Sequence, residues 1–452
     1  ASGDFLDAEH IVKEALGYGF DEVVASVSQF KRVYVKIANS KIDSVVEKSN
    51  ENAYLFVTSK KRVFFTNIER LDKSSVSKAI KTAKHFVNVM KPKSDYFGIA
   101  KGPFKYKLKL AYDKRLSEDI SKEAGTLART AVDELLELGA SNVAGTAVAG
   151  VSYDQLATSN HVDANSRGTM LRLSLRPFFG TVTVQDVIAG RLISSIKPEK
   201  VSQRMADMAL SIRSFGKLRS GIYDVIYAPS PAGLIISNAN YLACASAIET
   251  GSPFTGKLGK EVATKELTLL DSGVETDGVD SSPYDSEGYP TQRTVLIGNG
   301  ILKTYLHNSS TAAKYHTKST GNAGLVDPLP NTPVLLHKNR KRNLDVLIGE
   351  IDKGVLITNT WYLRFSNDVN GAFSTVPRDL AVYIEQGEPK FAIKHMEGME
   401  ATGVRISDSI PHMLKNIEAI GGEAVQSTSW DTEGSYYFMP YVLARGVRFT
   451  VA

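Results

Sequence analysis

Side chains able to hold a metal or move a proton are thinly spread along this 452-residue chain. Its eight histidines are His10, His85, His161, His307, His316, His337, His395 and His412, and none is followed by glutamate. No two stand one helical turn apart, the spacing that lets a helix present two imidazoles to one ion. His307 and His316 are the closest pair that could share a region; the plainer reading of all eight is surface or structurally bonded imidazole. The single cysteine, Cys244, excludes an internal disulfide and a multi-cysteine zinc site. In an apolar helix with Leu242 and Ile248 nearby it reads as a core residue, because a reactive thiolate needs an electropositive setting. Glycine-rich phosphate and dinucleotide loops and a G-x-S-x-G nucleophile elbow are absent.

Polar chemistry concentrates between Tyr284 and Gly324, YDSEGYPTQRTVLIGNGILKTYLHNSSTAAKYHTKSTGNAG. Asp285 and Glu287 come first, beside Gly288 and Pro290. A turn is expected there, proline fixing φ and glycine permitting positive φ. His307 and Asn308 lie in the middle. Ser319, Thr320, Gly321 and Asn322 open a small polar loop whose N–H groups could approach a ligand. Both segments also read as conformational devices of a β domain.

The elements that must position these residues form two groups. In the first, Asp7 caps a helix ending near Gly17 and Gly19. Short β-rich runs at Val33–Ile37, Lys41–Val46, Ala53–Val57 and Arg62–Thr66 read as a meander of hairpins. Helical periodicity covers Ser74–Met90, Leu116–Leu138 and Lys197–Phe215. The basic stretch Lys91–Arg115 contains an alternating KYKLKL that reads as an exposed or edge strand. HKNRKR at His337–Arg342 reads as a solvated loop. Beyond Gly221 strands dominate: Ile222–Ala228, Thr291–Ile297, Ile301–Leu306, Leu344–Ile351, Gly354–Tyr362, Leu380–Ile384 and Lys390–Ile393. Hairpin turns are expected at Gly298-Asn299-Gly300, Asp352-Lys353-Gly354 and Gln386-Gly387-Glu388. One helix, Ser230–Glu249, interrupts the β region; Ile235, Ala239, Leu242 and Ser246 share one of its faces. The expected fold class is α+β. An N-terminal α/β-type domain with antiparallel hairpins and long helices spans 1–220. A mainly antiparallel, barrel- or sandwich-like domain with one central helix spans 221–452. No internal repeat is apparent.

Composition, 42% hydrophobic and 23% charged, is that of a soluble globular protein, and a net charge of +5 does not call for nucleic acid. No apolar run approaches the ~20 residues that span a bilayer, and no leader-like segment is seen at the N-terminus. A lone cysteine fits a reducing cytoplasm, the compartment expected.

The segment from Tyr284 to Gly324 resembles the central signature of the TldD/PmbA family: D-x-E-G-x-P-T, then Y-L-H-N-x-x-T-A, then S-T-G-N-A. Upstream, GSPFTGKLG at 251–259 is similar to the family's G-x-x-F-x-G-K-L-G stretch. Downstream, Asp352-Lys353-Gly354 and NGAFS at 370–374 resemble its strand pair and N/T-G-x-F-S turn, and the early run from Asn39 to Asn67 fits its opening hairpins. Catalytic, TldD-type members carry H-E-x-x-x-H on the central helix and a cysteine near the C-terminus. Counting back from Phe254 and Gly256 puts those helix positions at about Ile235, Ile236 and Asn240. An alkyl chain cannot ligate zinc and isoleucine cannot move a proton. The resemblance therefore implies the non-metal-binding TldE/PmbA-type branch: no catalytic or metal residues and no cofactor in this chain, with zinc only in a TldD-type catalytic partner. A heterodimer with that partner, or a homodimer, would degrade or process peptides or unfolded protein. An older family name, modulator of DNA gyrase, finds no support in these residues. Two alternatives stay open. One is a self-sufficient hydrolase using His307 or His316 with Asp285 and Glu287. The other is a standalone homodimeric peptide-binding protein that pairs strands with its ligand.

Overall fold

The computed structural model describes residues 7–451 except 213, 395, 398, 399, 402 and 433, with only the backbone described at 396, 397, 400 and 401; His395 lies outside the described residues. The chain begins with α1 (Ala8–Leu16), whose first turn is capped by Asp7 accepting the His10 N–H at 2.8 Å. Three antiparallel strands follow, β1 (Glu22–Ala38), β2 (Lys41–Ser59) and β3 (Arg62–Ile68), then α2 (Lys73–Val89). The expected meander is present, but its strands are longer than the hydrophobic runs. Lys41–Val46 and Ala53–Val57 belong to one strand whose polar middle, Glu47–Glu51, is exposed and carried by pairing with β1.

The pattern then recurs. After α3 (Lys114–Glu118) come α4 (Ile120–Glu137), β4 (Asn142–Thr158), β5 (Asp163–Phe179), short β6 (Val182–Thr183), β7 (Asp186–Gly190) and α5 (Pro198–Leu210). Gly139-Ala140-Ser141-Asn142-Val143 repeats the geometry of Gly19-Phe20-Asp21-Glu22-Val23. Both glycines have positive φ, 73° and 93°, and Phe20, Val23, Ala140 and Val143 are all buried. The expectation of no repeat is corrected: two units, each an antiparallel meander with a helix before and after it, meet where β1 pairs antiparallel with β4, in the order β3-β2-β1-β4-β5-β6. The divergent residues hide this, since only the fold-determining positions match. Helices of both units pack on one face of the sheet, α1 and α2 over Val23, Ala25 and Leu55, α4 and α5 over Val35, Val143 and Leu173.

Other expectations need correction. Leu116–Leu138 is split because Asp119 leaves the helical region and caps α4 through the Lys122 N–H. The helix expected at Lys197–Phe215 stops at Leu210. KYKLKL is extended with alternating exposure but pairs in no sheet among the described residues. It lies across the loops carrying the signature, and side-chain contacts stand in for a ladder.

The second, mixed sheet begins with β8 (Phe215–Gly216) and β9 (Gly221–Tyr227). Next come α6 (Pro229–Leu242), α7 (Ala245–Thr250) and β10 (Leu267–Ser272). The single helix expected at Ser230–Glu249 is thus broken: Cys244 adopts extended backbone, forms a bridge to Leu306 and stays buried. The sheet's centre runs Thr332–His337, Tyr437–Thr450, β9, Lys353–Thr360, Pro377–Glu385. Tyr437–Thr450 is antiparallel to β9, whereas β9 is parallel to Lys353–Thr360. Leu344–Gly349 is a helix rather than a strand, because Asn343 caps it by accepting the Val346 N–H. Asp352-Lys353-Gly354 accordingly joins helix to strand and is no hairpin. Asn299-Gly300 and Gln386-Gly387 do turn hairpins through positive φ. The strand expected at Ile301–Leu306 ends at Leu302. His337 is buried at a strand end and Arg340–Lys341 pairs with Ile417–Ser427, so HKNRKR is a paired turn rather than a solvated loop. α6 sits in the apolar core of this half, with Ile235, Ala239 and Leu242 buried.

Candidate functional site

The signature segment folds into loops that face the free side of the N-terminal sheet. Asp285 organises the first. Its Oδ1 accepts the N–H groups of Glu287 and Tyr289, both at 3.0 Å, and its Oδ2 accepts that of Ala323 at 2.9 Å. Ser286 N–H donates to Ala323 O, so the 285–290 turn and the Ser319–Gly324 loop are joined. Glu287 Oε2 accepts the N–H of Ala100 at 3.1 Å and of Ser309 at 3.3 Å. One carboxylate thereby ties the signature to the basic stretch Lys91–Arg115, which forms a strap over these loops, and to the start of a short helix, Ser309–Lys314. Burial pushes both carboxyls above the ordinary range, and the Asp285 charge pushes Glu287 further. Three N–H donors make Asp285 the better holder of a negative charge, leaving Glu287 as the group that keeps a proton.

Gly288 has φ +76°, and a Cβ there would lie 2.4 Å from Val162 and 3.0 Å from Leu156. The turn therefore rests directly on the N-terminal sheet. Tyr106 of the strap donates to Gly288 O at 2.7 Å, and its ring lies 5.5 Å from that of Tyr284. Phe104 meets Tyr289 edge-on. Pro290 closes the turn by bridging to Tyr284, and Gly321, at φ +70°, packs against the backbone of Pro290 and Thr291.

His307 is buried and its pKa falls to about 4 through desolvation. Its Nδ1 lies 3.3 Å from Thr311 Oγ1, which bonds Asn308 Oδ1 in the cap of the short helix. Ser319 and Thr320 hydroxyls donate to His307 O. Among the described residues the His307 imidazole makes no hydrogen bond to Asp285 or Glu287. His316 is exposed with φ +53° just beyond the helix. The signature is gathered into one place, but its histidines are not joined to its carboxylates.

A cleft of about 430 Å³ opens between these loops and the N-terminal sheet. Asp285, Ser286, Asn322 and Ala323 line one side; Ser152, Asp154 and Ser166 line the other. Asp154 accepts Ser28 Oγ at 2.6 Å, and burial raises its pKa. The Arg191 charge offsets this in part, without a hydrogen bond to Asp154. The arginine side chain holds the 278–281 loop, donating to Gly278 O at 2.6 Å, Val279 O at 3.1 Å and Ser281 O at 2.7 Å. Asp280, at the cleft's rim, accepts the Tyr436 N–H at 2.8 Å. Deeper lies a polar knot around fully buried Asp271, which accepts Asn240 Nδ2 at 3.0 Å, Asn322 Nδ2 at 2.7 Å and Asn331 Nδ2 at 3.1 Å. The Oδ1 atoms of Asn240 and Asn322 are buried without a partner. The cleft thus sets carboxylate and hydroxyl acceptors, suited to N–H groups, beside the guanidiniums of Arg167 and Arg191, with no nucleophile–base pair among its described residues. A larger cavity, about 830 Å³, lies beneath α5 against Leu356 and Val382 and contains no signature residue.

Asp154, Arg191, Asp271 and Asp280 were not legible as site residues. Sheet register and loop return bring them together, and only Asp271, a charge ending the apolar run LTLLDS, carried a local signal. Of the helix positions, Ile235 and Ile236 are sealed in the core and Asn240 is fixed between Leu270 O and Asp271. Among the described residues no group of three His, Cys, Asp or Glu is placed to hold a metal ion.

Residues 220–451 match the family model described as the PmbA/TldA metallopeptidase C-terminal domain. The chain belongs to the PmbA/TldD family. An uncharacterized protein of Methanocaldococcus jannaschii is 26% identical over 82% of this chain and 86% of its own length. Metalloprotease PmbA of Escherichia coli O157:H7 is 27% identical over 52% of this chain and 49% of its own. The fold is that of TldE from Thermococcus kodakarensis, with a TM-score of 0.81 at 20% identity over 98% and 99% of the two chains. A Thermotoga maritima protein described as a modulator of a DNA gyrase shares the same fold, with a TM-score of 0.80 at 22% identity over 98% and 99%. The α+β expectation and the family resemblance agree with these findings. No helix among the described residues of this PmbA/TldD relative is long and apolar enough to cross a membrane.

Proposed function

We propose that this chain is a metal-free, TldE/PmbA-type subunit that completes a peptide-processing chamber with a TldD-type metallopeptidase. The observation that carries this reading is the state of α6. At the positions where a catalytic relative places its metal-binding histidine and its general base, Ile235 and Ile236 are buried among aliphatic side chains. Metal chemistry needs neutral imidazole or carboxylate donors and an open coordination position. Aliphatic side chains packed in a core supply neither. Asn240, at the third position, is committed to Asp271.

What the chain retains is a framework. The signature loops brace the cleft through Asp285, Glu287 and Gly288, and the cleft presents acceptors to the N–H groups of an extended chain. Peptide substrates would be held there by main-chain hydrogen bonds, which tolerate varied sequences, while the partner's zinc supplies the hydrolytic step. A reducing cytoplasm is the compartment this account assumes. Co-expression with a TldD-type chain, followed by elemental analysis of each subunit, tests it. Zinc should follow the partner and stay well below one equivalent in this chain. Stoichiometric, chelator-resistant metal in the isolated chain would refute it.

A further inference from the structure

A second cavity, about 240 Å³, lies where the β5–β6 hairpin meets Pro377–Glu385, away from the signature loops. Among the described residues, Arg176, Arg378 and Lys394 line it together with one carboxylate, Asp379, and Phe215 and Trp361 supply its apolar wall.

Arg378 is the central group. It is only 8% exposed, and its guanidinium carbon sits 3.7 Å from the Trp430 ring centroid and 4.8 Å from that of Trp361. The two indoles meet edge-on with centroids 5.4 Å apart, and Trp430 Nε1 is anchored on Thr360 O at 3.0 Å. Rotation of the guanidinium is therefore restricted, which fixes the plane of its donors. Its Nη1 contacts Gln185 and, at 3.2 Å, Asp379 Oδ2. Its Nε is buried with no partner, and no hydrogen bond from its Nη2 reaches another described residue. A buried, unsatisfied guanidinium donor is costly and marks a place where an acceptor is missing.

Arg176 stands beside it. Its Nε donates to Asp379 Oδ1 at 2.7 Å, leaving its η nitrogens without a hydrogen bond to any described residue. Asp379 also receives Asn359 Nδ2 at 3.1 Å, so its oxygens are shared among three donors while it orients both guanidiniums.

We propose that this cavity binds a small oxyanion, clamped by Arg176 and Arg378 with any apolar body against Trp361. Planar guanidiniums match carboxylate and phosphate oxygens, and the volume admits a residue or two rather than a folded segment. The anion is the terminal carboxylate of a peptide or free phosphate.

Both tryptophans of the chain contact Arg378, so intrinsic fluorescence reports on the site directly. The isolated full chain is titrated at constant ionic strength with N-acetyl-Ala-Phe, with its C-terminal amide, and separately with sodium phosphate. The free acid should change tryptophan emission saturably and the amide should not. A saturable response to phosphate alone would keep the oxyanion site and assign it to the free anion. Arg176→Gln, whose guanidinium stacks on Phe178 rather than on an indole, should weaken binding roughly tenfold, the effect of one charge-assisted hydrogen bond. Melting temperature checks that the variant is folded. Equal saturable responses to acid and amide, no saturable response to either acid or phosphate, or unchanged affinity in folded Arg176→Gln would overturn the proposal. No arm uses a partner subunit, so the result is independent of the function proposed above.

Discussion

Replacing Gly288 with alanine tests whether the signature turn is a strut between the two halves of the molecule. Two costs apply. The backbone has φ +76°, which costs an L-residue about 1–2 kcal/mol. The new Cβ would also lie 2.4 Å from Val162 Cγ1 and 3.0 Å from Leu156 Cδ2, in a buried contact where overpacking costs about 1–3 kcal/mol. Gly259 supplies the control, since it has φ +75° with no atom within 4 Å of a built Cβ. Urea denaturation of Gly259→Ala should show the backbone cost alone, and Gly288→Ala should lose about 1–3 kcal/mol more. Adding Val162→Ala to Gly288→Ala should recover part of that excess, the signature of a direct contact in a double-mutant cycle. Equal losses in the two glycine variants, with no coupling to Val162, would refute the packing of this turn on the N-terminal sheet.

Glu287→Gln should alter the pH dependence of stability. Burial raises the Glu287 pKa above its unfolded value, so the folded state binds more protons and wild-type stability falls as pH rises from about 4.3 through the raised folded value. The glutamine variant lacks this component, and the stability difference should shift in its favour with pH; parallel curves would exclude a proton on Glu287. Leu242→Asp should cost about 3–5 kcal/mol, because Leu242 is buried on α6 and the new carboxylate would have no counter-charge. An unchanged melting temperature would place that face of α6 elsewhere.

Caps and turns were the legible parts of the fold. Asp7, Asn299-Gly300 and Gln386-Gly387 carry their geometry in local chemistry. Long strands were not. β4 contains Ala144, Gly145, Ala147, Ala149 and Gly150, which have little β propensity, and it is a strand because β1 and β5 pair with it on both sides. Its partner β5 and the closing strand Tyr437–Thr450 also went unread. Leu344–Gly349 misleads through its aliphatic residues, although Asn343 was available as a cap signal. At the site, Asp285, Glu287, Gly288 and the Ser319–Asn322 loop stood out as a motif. Their task as braces was hidden, because the strap residues Ala100, Phe104 and Tyr106 lie far away in sequence. Asp154 and Asp280 acquire meaning only from the cleft they share with distant elements.

The central claim is that this chain contributes a framework and its partner contributes the metal. Peptide cleavage measured for this chain, for a TldD-type subunit and for their mixture tests it most directly. Cleavage of an unfolded peptide should be fastest in the mixture, vanish when the partner's H-E-x-x-x-H is mutated, and survive mutation of His307 or His316 here. Robust, chelator-sensitive cleavage by this chain alone, lost on changing either of those histidines, would contradict the account.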